Sequence, residues 1–507
     1  MMTTSDSRRP RLWLRLGKWL VAVLLVLAAA VVARGYFAFR DRLGGYRLAV
    51  NVDPARAQAE PRPLRVGFAR VSINPDMSDP KKPVWLAGFS QNRAATRIHD
   101  DLWAIACVLD DGWSKIGFVA LDAIGFFQDD VVQVRRQMQD NSLRFITVCS
   151  THNHSTPDLM GLWGPSVFRT GVDPAYRQKV IDACVQALSL AMSNQEPARV
   201  SFHEIEMPAQ GLVADTRKPE VFDKDVRVMH FTREGDGSTI GSIVNWGNHP
   251  ETPWSRNKEI TSDYCGYLRD ALANGVNLDG KQHLSGIGGV HLFVNGAVGG
   301  LMSTTPSVTV RDPLLEKEYK EPSHEKSRAV GHALASRILA RLKESTVPAT
   351  DHVAIGIQAR SIEVPLHNKG YLLAGFLGLI DRGYVGWRTL RTEVALITVG
   401  EASIACVPGE IYPEIVNGGI EQPEGADFPA AIIETPPLRQ MMPGNIKFVF
   451  GLANDEIGYI LPKSQWDEEP PFAYGRKDAP YGEVNSVGPE TGPAVHAAFK
   501  QFCRLGE

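Results

Sequence analysis

The amino-acid sequence predicts an α/β protein: a single large mixed-sheet domain with its site at the carboxyl ends of strands, preceded by an amino-terminal hydrophobic anchor. Three observations carry this expectation. Short apolar runs rich in β-branched residues alternate with longer stretches of helical period. Four of those runs end on a turn bearing polar or glycine-rich groups, where open α/β sheets place their sites. A basic cluster at the amino terminus is followed by an uncharged apolar segment.

In chain order, Arg8, Arg9, Arg11, Arg15 and Lys18 precede an apolar run from Trp19 to Ala33, bordered by Tyr36-Phe37-Ala38-Phe39. Together they approach the ~20 residues needed to cross a bilayer. Residues 1–40 therefore read as a signal-anchor whose basic side stays in the cytoplasm, or as a cleaved export signal. Both readings put the catalytic part in the periplasm or outside the cell. Residues 41–63, with Pro54, Pro61 and Pro63, read as a connector. The catalytic domain, 64–507, opens on the strand-like Leu64 to Ala69.

Further strands are expected at Ile116 to Leu121, Phe145 to Cys149, Val226 to Phe231, Ile240 to Trp246, Val290 to Val294, Val394 to Val399 and Ile404 to Val407. Val131 to Met138, Tyr176 to Met192, Tyr264 to Ala273 and Glu325 to Leu342 have helical period. The apolar stretch Tyr371 to Ile380 is too short to span a bilayer. It reads as a buried helix, or alternatively as a wall for an acyl chain or a patch that touches lipid. Residues 423–493, rich in Pro and Gly, are expected to loop over the sheet before a last helix, Ala494 to Phe502.

A chain of 507 residues can bury a large core, and a net charge of −3 indicates no nucleic-acid surface. The six cysteines are scattered without metal-ribbon spacing, and most read as buried small hydrophobes.

The chemistry gathers on the turns. Thr151-His152-Asn153-His154-Ser155 follows the run at Phe145, and Asn248-His249-Pro250-Glu251 follows that at Ile243. Asn295-Gly296-Ala297-Val298-Gly299-Gly300 and Pro408-Gly409-Glu410 end the other two. Each histidine alone is compatible with an ordinary buried or surface role. Two histidine loops and a glutamate loop meeting at one edge would suit zinc with an open position for water. The glycine turn is neither a phosphate loop nor a dinucleotide fingerprint; it either presents backbone N–H groups to a ligand or marks close packing. Gly-x-Ser-x-Gly is absent, so an α/β-hydrolase elbow is not supported.

From about Arg65 to about Leu505 the chain resembles the amino-terminal catalytic domain of the neutral/alkaline non-lysosomal ceramidases. The resemblance lies in Arg65-Val-Gly-Phe-Ala-Arg-Val-Ser-Ile-Asn-Pro75, Ile98-His99-Asp100, Val119-Ala-Leu-Asp122, Ser150-Thr-His-Asn-His-Ser155 and Asn245-Trp-Gly-Asn-His-Pro250. It continues through Asn295-Gly-Ala-Val-Gly299, Pro408-Gly-Glu410, Ala453-Asn454, Gly458-Tyr459 and Tyr481-Gly-Glu-Val-Asn-Ser486. The resemblance implies one zinc ion and hydrolysis of the N-acyl bond of ceramide, or a related N-acyl lipid, to a long-chain base and a fatty acid. It implies His152, His249, Glu410 and Tyr459 as zinc ligands, His154 as the catalytic histidine, and Arg217 and Tyr481 as groups facing substrate. The family's serine after the glycine turn has Ser303 as its counterpart here, one place late. The family's full-length members continue into an immunoglobulin-like domain beyond this stretch. Other enzymatic readings are an esterase or amidase on a different lipid or small molecule. A relative that binds lipid or metal without turnover is the non-enzymatic one.

Overall fold

The computed structural model describes residues 9–52, 60–139, 141–278, 280–429 and 431–504; Arg8 and Pro54 lie outside them. Its centre is two sheets packed face to face. The first has eight strands in the order Val290–Asn295, Thr239–Trp246, Val226–Arg233, Glu196–Ile205, Arg65–Ser72, Trp103–Asp110, Lys115–Leu121 and Phe145–Ser150. Only its two outermost pairs are parallel. The second runs Ala49–Val52, Ile355–Pro365, Thr389–Val399, Ala402–Cys406 and Ile446–Phe450, with Tyr384–Gly386 paired to Thr389–Val399.

The strands expected to share one sheet thus divide between two. The reason is visible in their burial. Thr239–Trp246 and Phe145–Ser150 are buried at every position, so each needs cover on both faces. Phe68, Ile105, Phe118 and Phe231 of the first sheet meet Ile357, Ile397, Ile404 and Phe448 of the second. Helices Gln128–Gln137 and Pro174–Ser193 cover half of the first sheet's outer face. Asp263–Asn274 and His324–Glu344 cover the other half. Thr491–Arg504 lies on the outer face of the second sheet. The result is a helix–sheet–sheet–helix sandwich. Cys107, Cys149, Cys184, Cys265 and Cys406 are buried thiols within it.

Three local expectations are corrected. Ile446–Phe450 is a strand of the second sheet, so 423–493 is not all loop; a short pair, Glu410–Ile411 with Tyr459–Ile460, lies there too. The helix at Lys369–Leu377 is on the surface, with only Ala374 and Gly375 buried. Residues 41–63 are not a plain connector, because Ala49–Val52 is an edge strand paired with Ile355–Pro365.

The amino-terminal helix, Arg9–Phe39, is long and apolar enough to cross a membrane, as an anchor or a signal would. From Trp13 on it is exposed until its last turn, where Ala38 and Phe39 are buried against the domain. Asp41 then accepts two hydrogen bonds from Arg391, at 2.9 and 2.8 Å. That guanidinium holds the Asp41 carboxyl down at about 2. A depressed carboxyl adds stability above its unfolded value, near pH 4, and loses it as pH falls towards 2. Asp41→Asn should therefore cost about 1 kcal/mol above pH 4, because solvent screens a pair at the surface. The gap from the parent should close between pH 4 and pH 2, read from denaturant midpoints along that range.

Candidate metal centre and its pocket

The first histidine loop leaves a fully buried edge strand. Thr151 N–H donates to Leu121 O and Asn153 N–H to Ala123 O, carrying the strand's pairing past its end. His152 takes a left-handed φ of 66°, which turns its ring inward, and Asn153 Oδ1 closes the turn by accepting from Ser155 N. The second loop joins the first through His154 N–H donating to Pro250 O at 3.1 Å. The fully buried Asn295 ties both loops together. Its Nδ2 donates to Thr151 O and Asn248 O, each at 3.0 Å, and its Oδ1 accepts from Asn248 N.

The carboxylate arrives from the other sheet. Glu410 follows Pro408-Gly409 and pairs in parallel with Tyr459. This pairing needs a close approach at Gly458, where φ is 82° and an added Cβ would lie 2.1 Å from Asn485 O. Tyr459 in turn has Tyr412 and Tyr481 at its edges, with ring centroids 6.1 and 5.9 Å away.

The geometry at the meeting point is that of a ligand cage. His152 Nδ1 pairs with Ile124 O and His249 Nδ1 with Met302 O, both at 2.7 Å. With N–H at Nδ1, each ring turns an acceptor Nε2 inward, the arrangement that outer partners impose on metal-binding histidines. Those Nε2 atoms lie 3.3 and 2.9 Å from Glu410 Oε2, and Tyr459 Oη lies 3.5 Å from His249 Nε2. Ligand atoms around a tetrahedral ion with bonds near 2.0–2.1 Å stand about 3.3 Å apart, so the donors fit such an ion. His152, His154 and His249 form a buried group that can hold a metal ion, their ligand atoms lying within 4.8 Å of one another.

His154 stands slightly apart. Neither of its ring nitrogens has a hydrogen-bond partner, although Glu251 Oε2 lies 3.3 Å from Nδ1. Burial, with His152 and His249 beside it, pushes its pKa well below the ordinary range, so the ring is neutral. Glu251 also accepts from Ser303 Oγ, at 2.5 Å. Burial opposes the charging of Glu410, but the two adjacent imidazoles outweigh it and hold its carboxyl low. Burial also opposes charging His249, yet Glu410 raises it to about 9. Glu456, buried beside Glu410, is pushed well up and stays protonated.

His152, His154, Glu410 and Tyr459 of this cluster line an apolar pocket enclosing about 880 Å³, open solvent at its mouth included. Phe127, Met160, Leu366, Ile380, Tyr384 and Leu390 supply apolar wall, and Tyr371 and Tyr481 stand among the lining. Tyr481 is 56% exposed, and its phenol is pushed up to about 12 by burial of the hydroxyl end.

Not every expected residue reaches the pocket. Arg217 lies behind the site: its guanidinium stacks over the Tyr412 ring at 4.9 Å and donates to Glu483 and to Gln465 O. It therefore does not face the pocket. Ser303 points at Glu251 rather than at Glu410. In the glycine turn, Gly296 N–H donates to Trp246 O and Ala297 N–H to Asp223. An added Cβ at Gly299 would lie 2.5 Å from the Tyr412 ring, so the turn is a packing point. Sequence reasoning missed Glu251 and Glu456. Glu251 sits two residues after His249 on the same turn, a signal open to detection. Glu456 was hidden among the acidic residues that follow Asn454. A second group, His99, Glu259 and His324, is half-buried, but its imidazoles stack in parallel 3.7 Å apart. In-plane lone pairs of rings so stacked cannot converge on one ion.

Asn295→Ala should leave Thr151 O and Asn248 N–H without a buried partner, while Asn248 O keeps the Tyr264 hydroxyl. About 2–3 kcal/mol of stability should go with it, measured by denaturant unfolding.

No protein-family model matches the chain. Two solved structures are similar to it. A ceramidase complexed with C2 superposes with a TM-score of 0.64 at 14% identity, over 87% of this chain and 75% of that one. Neutral ceramidase from Pseudomonas aeruginosa gives 0.62 at 14% identity, over 88% of this chain and 74% of that one. The sandwich described above is thus the fold of the neutral ceramidases.

Proposed function

We propose that this chain is a zinc-dependent amidohydrolase. It cleaves the N-acyl bond of ceramide or a related N-acyl lipid to a long-chain base and a fatty acid. The observation that carries the reading is the convergence of His152, His249 and Glu410 beside an apolar pocket that His152 and Glu410 line. The fold shared with neutral ceramidases supports it. In this reading the amino-terminal helix anchors the enzyme, with the catalytic domain periplasmic or extracellular.

His152, His249, Glu410 and Tyr459 would hold one zinc ion. Such an ion polarises a carbonyl and makes a water acidic enough to attack it at neutral pH. The chain's own residues do the rest. The apolar walls seat the acyl chain and exclude bulk water. His154, neutral and with Nε2 free of any hydrogen bond among the described residues, takes a proton from the attacking water and delivers it to the departing amine nitrogen. Glu251 orients that ring from Nδ1, and Ser303 orients Glu251. Tyr481, protonated at neutral pH, is the hydrogen-bond donor for the developing oxyanion. Arg217 is a positioning residue that braces Tyr412 behind Tyr459.

Metal analysis of the purified full-length protein should find one zinc per chain. Turnover of long-chain N-acyl lipids should stop with a chelator and return with zinc. Turnover indifferent to chelation, or confined to simple esters, would overturn the assignment. His249→Ala should lose both zinc and turnover. Ser303→Ala should retain zinc and slow turnover less than about tenfold, or 1.4 kcal/mol, because its hydroxyl acts only through Glu251.

A further inference from the structure

Among the described residues, the surface helix Lys369–Leu377 has no partner over its outer face. Leu373 is 56% exposed and Leu377 44%; four residues apart, they share one side of the helix. Trp387, 66% exposed on the neighbouring hairpin, lines one groove with Phe376 of this helix and Phe39. This apolar patch adjoins the end of the amino-terminal helix. Phe39 packs edge-on against Tyr384 and Trp387 at 5.0 and 4.9 Å, and the Arg34 guanidinium lies 6.0 Å from the centre of the Phe376 ring.

That contact places the patch along the membrane normal. The apolar part of the helix, Trp13–Phe39, has 27 residues and is about 40 Å long, more than the ~30 Å of a hydrocarbon core. The domain closes around its last turn, burying Ala38 and Phe39. A surface flush with that turn lies at the level where the span leaves the lipid. Its charge agrees. Arg34, Arg40, Lys369 and Arg388 are exposed around it, and none is ion-paired to a carboxylate among the described residues. A basic rim around exposed leucine and tryptophan matches an anionic headgroup layer over acyl chains.

The same helix also borders the pocket. Tyr371 lines the pocket and donates from its hydroxyl to Asn485 O at 3.0 Å, while Tyr384, from the pocket wall, donates to Tyr371 O at 3.4 Å. We infer that the helix Lys369–Leu377, together with Trp387, is seated in the lipid leaflet beside the span, and that the pocket takes its acyl substrate from the bilayer and not from water. The membrane contact rests on the helix Arg9–Phe39 being an anchor, and the route of entry rests on the hydrolase reading.

The test uses full-length protein in phosphatidylcholine–phosphatidylglycerol vesicles. An environment-sensitive fluorophore is placed by Leu377→Cys, and at a distant exposed loop by Asp236→Cys, both in a Cys503→Ser background. The probe at 377 should be blue-shifted and quenched several-fold by spin-labelled lipid, and the probe at 236 should not. Equal, water-like emission and no quenching at both positions would overturn the contact whether or not the protein is an enzyme. In the second arm, the pair Leu373→Glu and Leu377→Glu should lower turnover of a vesicle-embedded N-acyl lipid at least tenfold. Turnover of a water-soluble short-chain amide should change less than twofold. Equal losses on both substrates would overturn entry from the bilayer. Absence of turnover on every substrate by the parent protein would instead sink the hydrolase reading and leave the fluorescence result to decide the contact.

Discussion

The structure depends on the buried amide of Asn295. Three chain segments from distant parts of the sequence end at this side chain, and each brings backbone polar groups that no regular ladder satisfies. An unpaired buried N–H or C=O costs about 1–3 kcal/mol, so the junction forms only if something supplies donors and acceptor together. The carboxamide does so for Thr151 and Asn248. A second asparagine repeats the device between the sheets. Asn245 donates from Nδ2 to Val294 O and to Val449 O, the latter on the opposite sheet. The edge strand Phe145–Ser150 is closed in the same way, by Ser150 N–H donating to Leu452 O and Asn454 N–H donating to Val148 O. The polar ends of two otherwise apolar layers are thereby locked where the histidine loops emerge.

Electrostatics at the centre follow from that burial. Two imidazoles, one carboxylate and a phenol are crowded into a site with little water. Glu410 keeps its charge because two imidazoles face it, whereas Glu456, beside it but without such partners, keeps its proton. One carboxylate charged and its neighbour neutral is the arrangement that like charges in low dielectric impose. A carboxylate flanked by two imidazoles, which yield their inner protons to an incoming ion, is also a donor set that suits a divalent cation. Arg217 and Glu483 form a separate buried pair behind Tyr412, so their charges do not compete at the donor atoms.

Much of the architecture was legible in the chain. The strands at Phe145, Thr239 and Val290 and the helices at Pro174, Asp263 and His324 announce themselves through β-branched runs and helical period. The strands Trp103–Asp110, Glu196–Ile205, Ile355–Pro365 and Ile446–Phe450 did not. Glu196–Ile205 and Ile355–Pro365 mix charged and small residues with apolar ones, and proline and glycine surround Ile446–Phe450. The half-exposed helix at Lys369–Leu377 was misread as buried because composition reports apolarity and not cover. The division of the strands into two sheets was equally silent, since a strand buried on both faces reads the same under a helix layer or a second sheet.

The sequence by itself determined the α/β class, the membrane-length helix, and the candidate residues His152, His154, His249 and Glu410 on turns after apolar runs, whereas Tyr459 entered only through the family resemblance. These are local matters of period, turn chemistry and residue type. Only the tertiary structure decided which donors meet, that Glu251 and Ser303 stand behind His154, and that Arg217 faces Tyr412 and not the pocket. It alone joined the amino-terminal helix to the pocket wall, through Phe39 on Tyr384 and Asp41 on Arg391. Those relations link residues hundreds of positions apart. They arise from which buried polar groups find partners once two sheets have closed on each other, and no local pattern in a chain encodes that outcome.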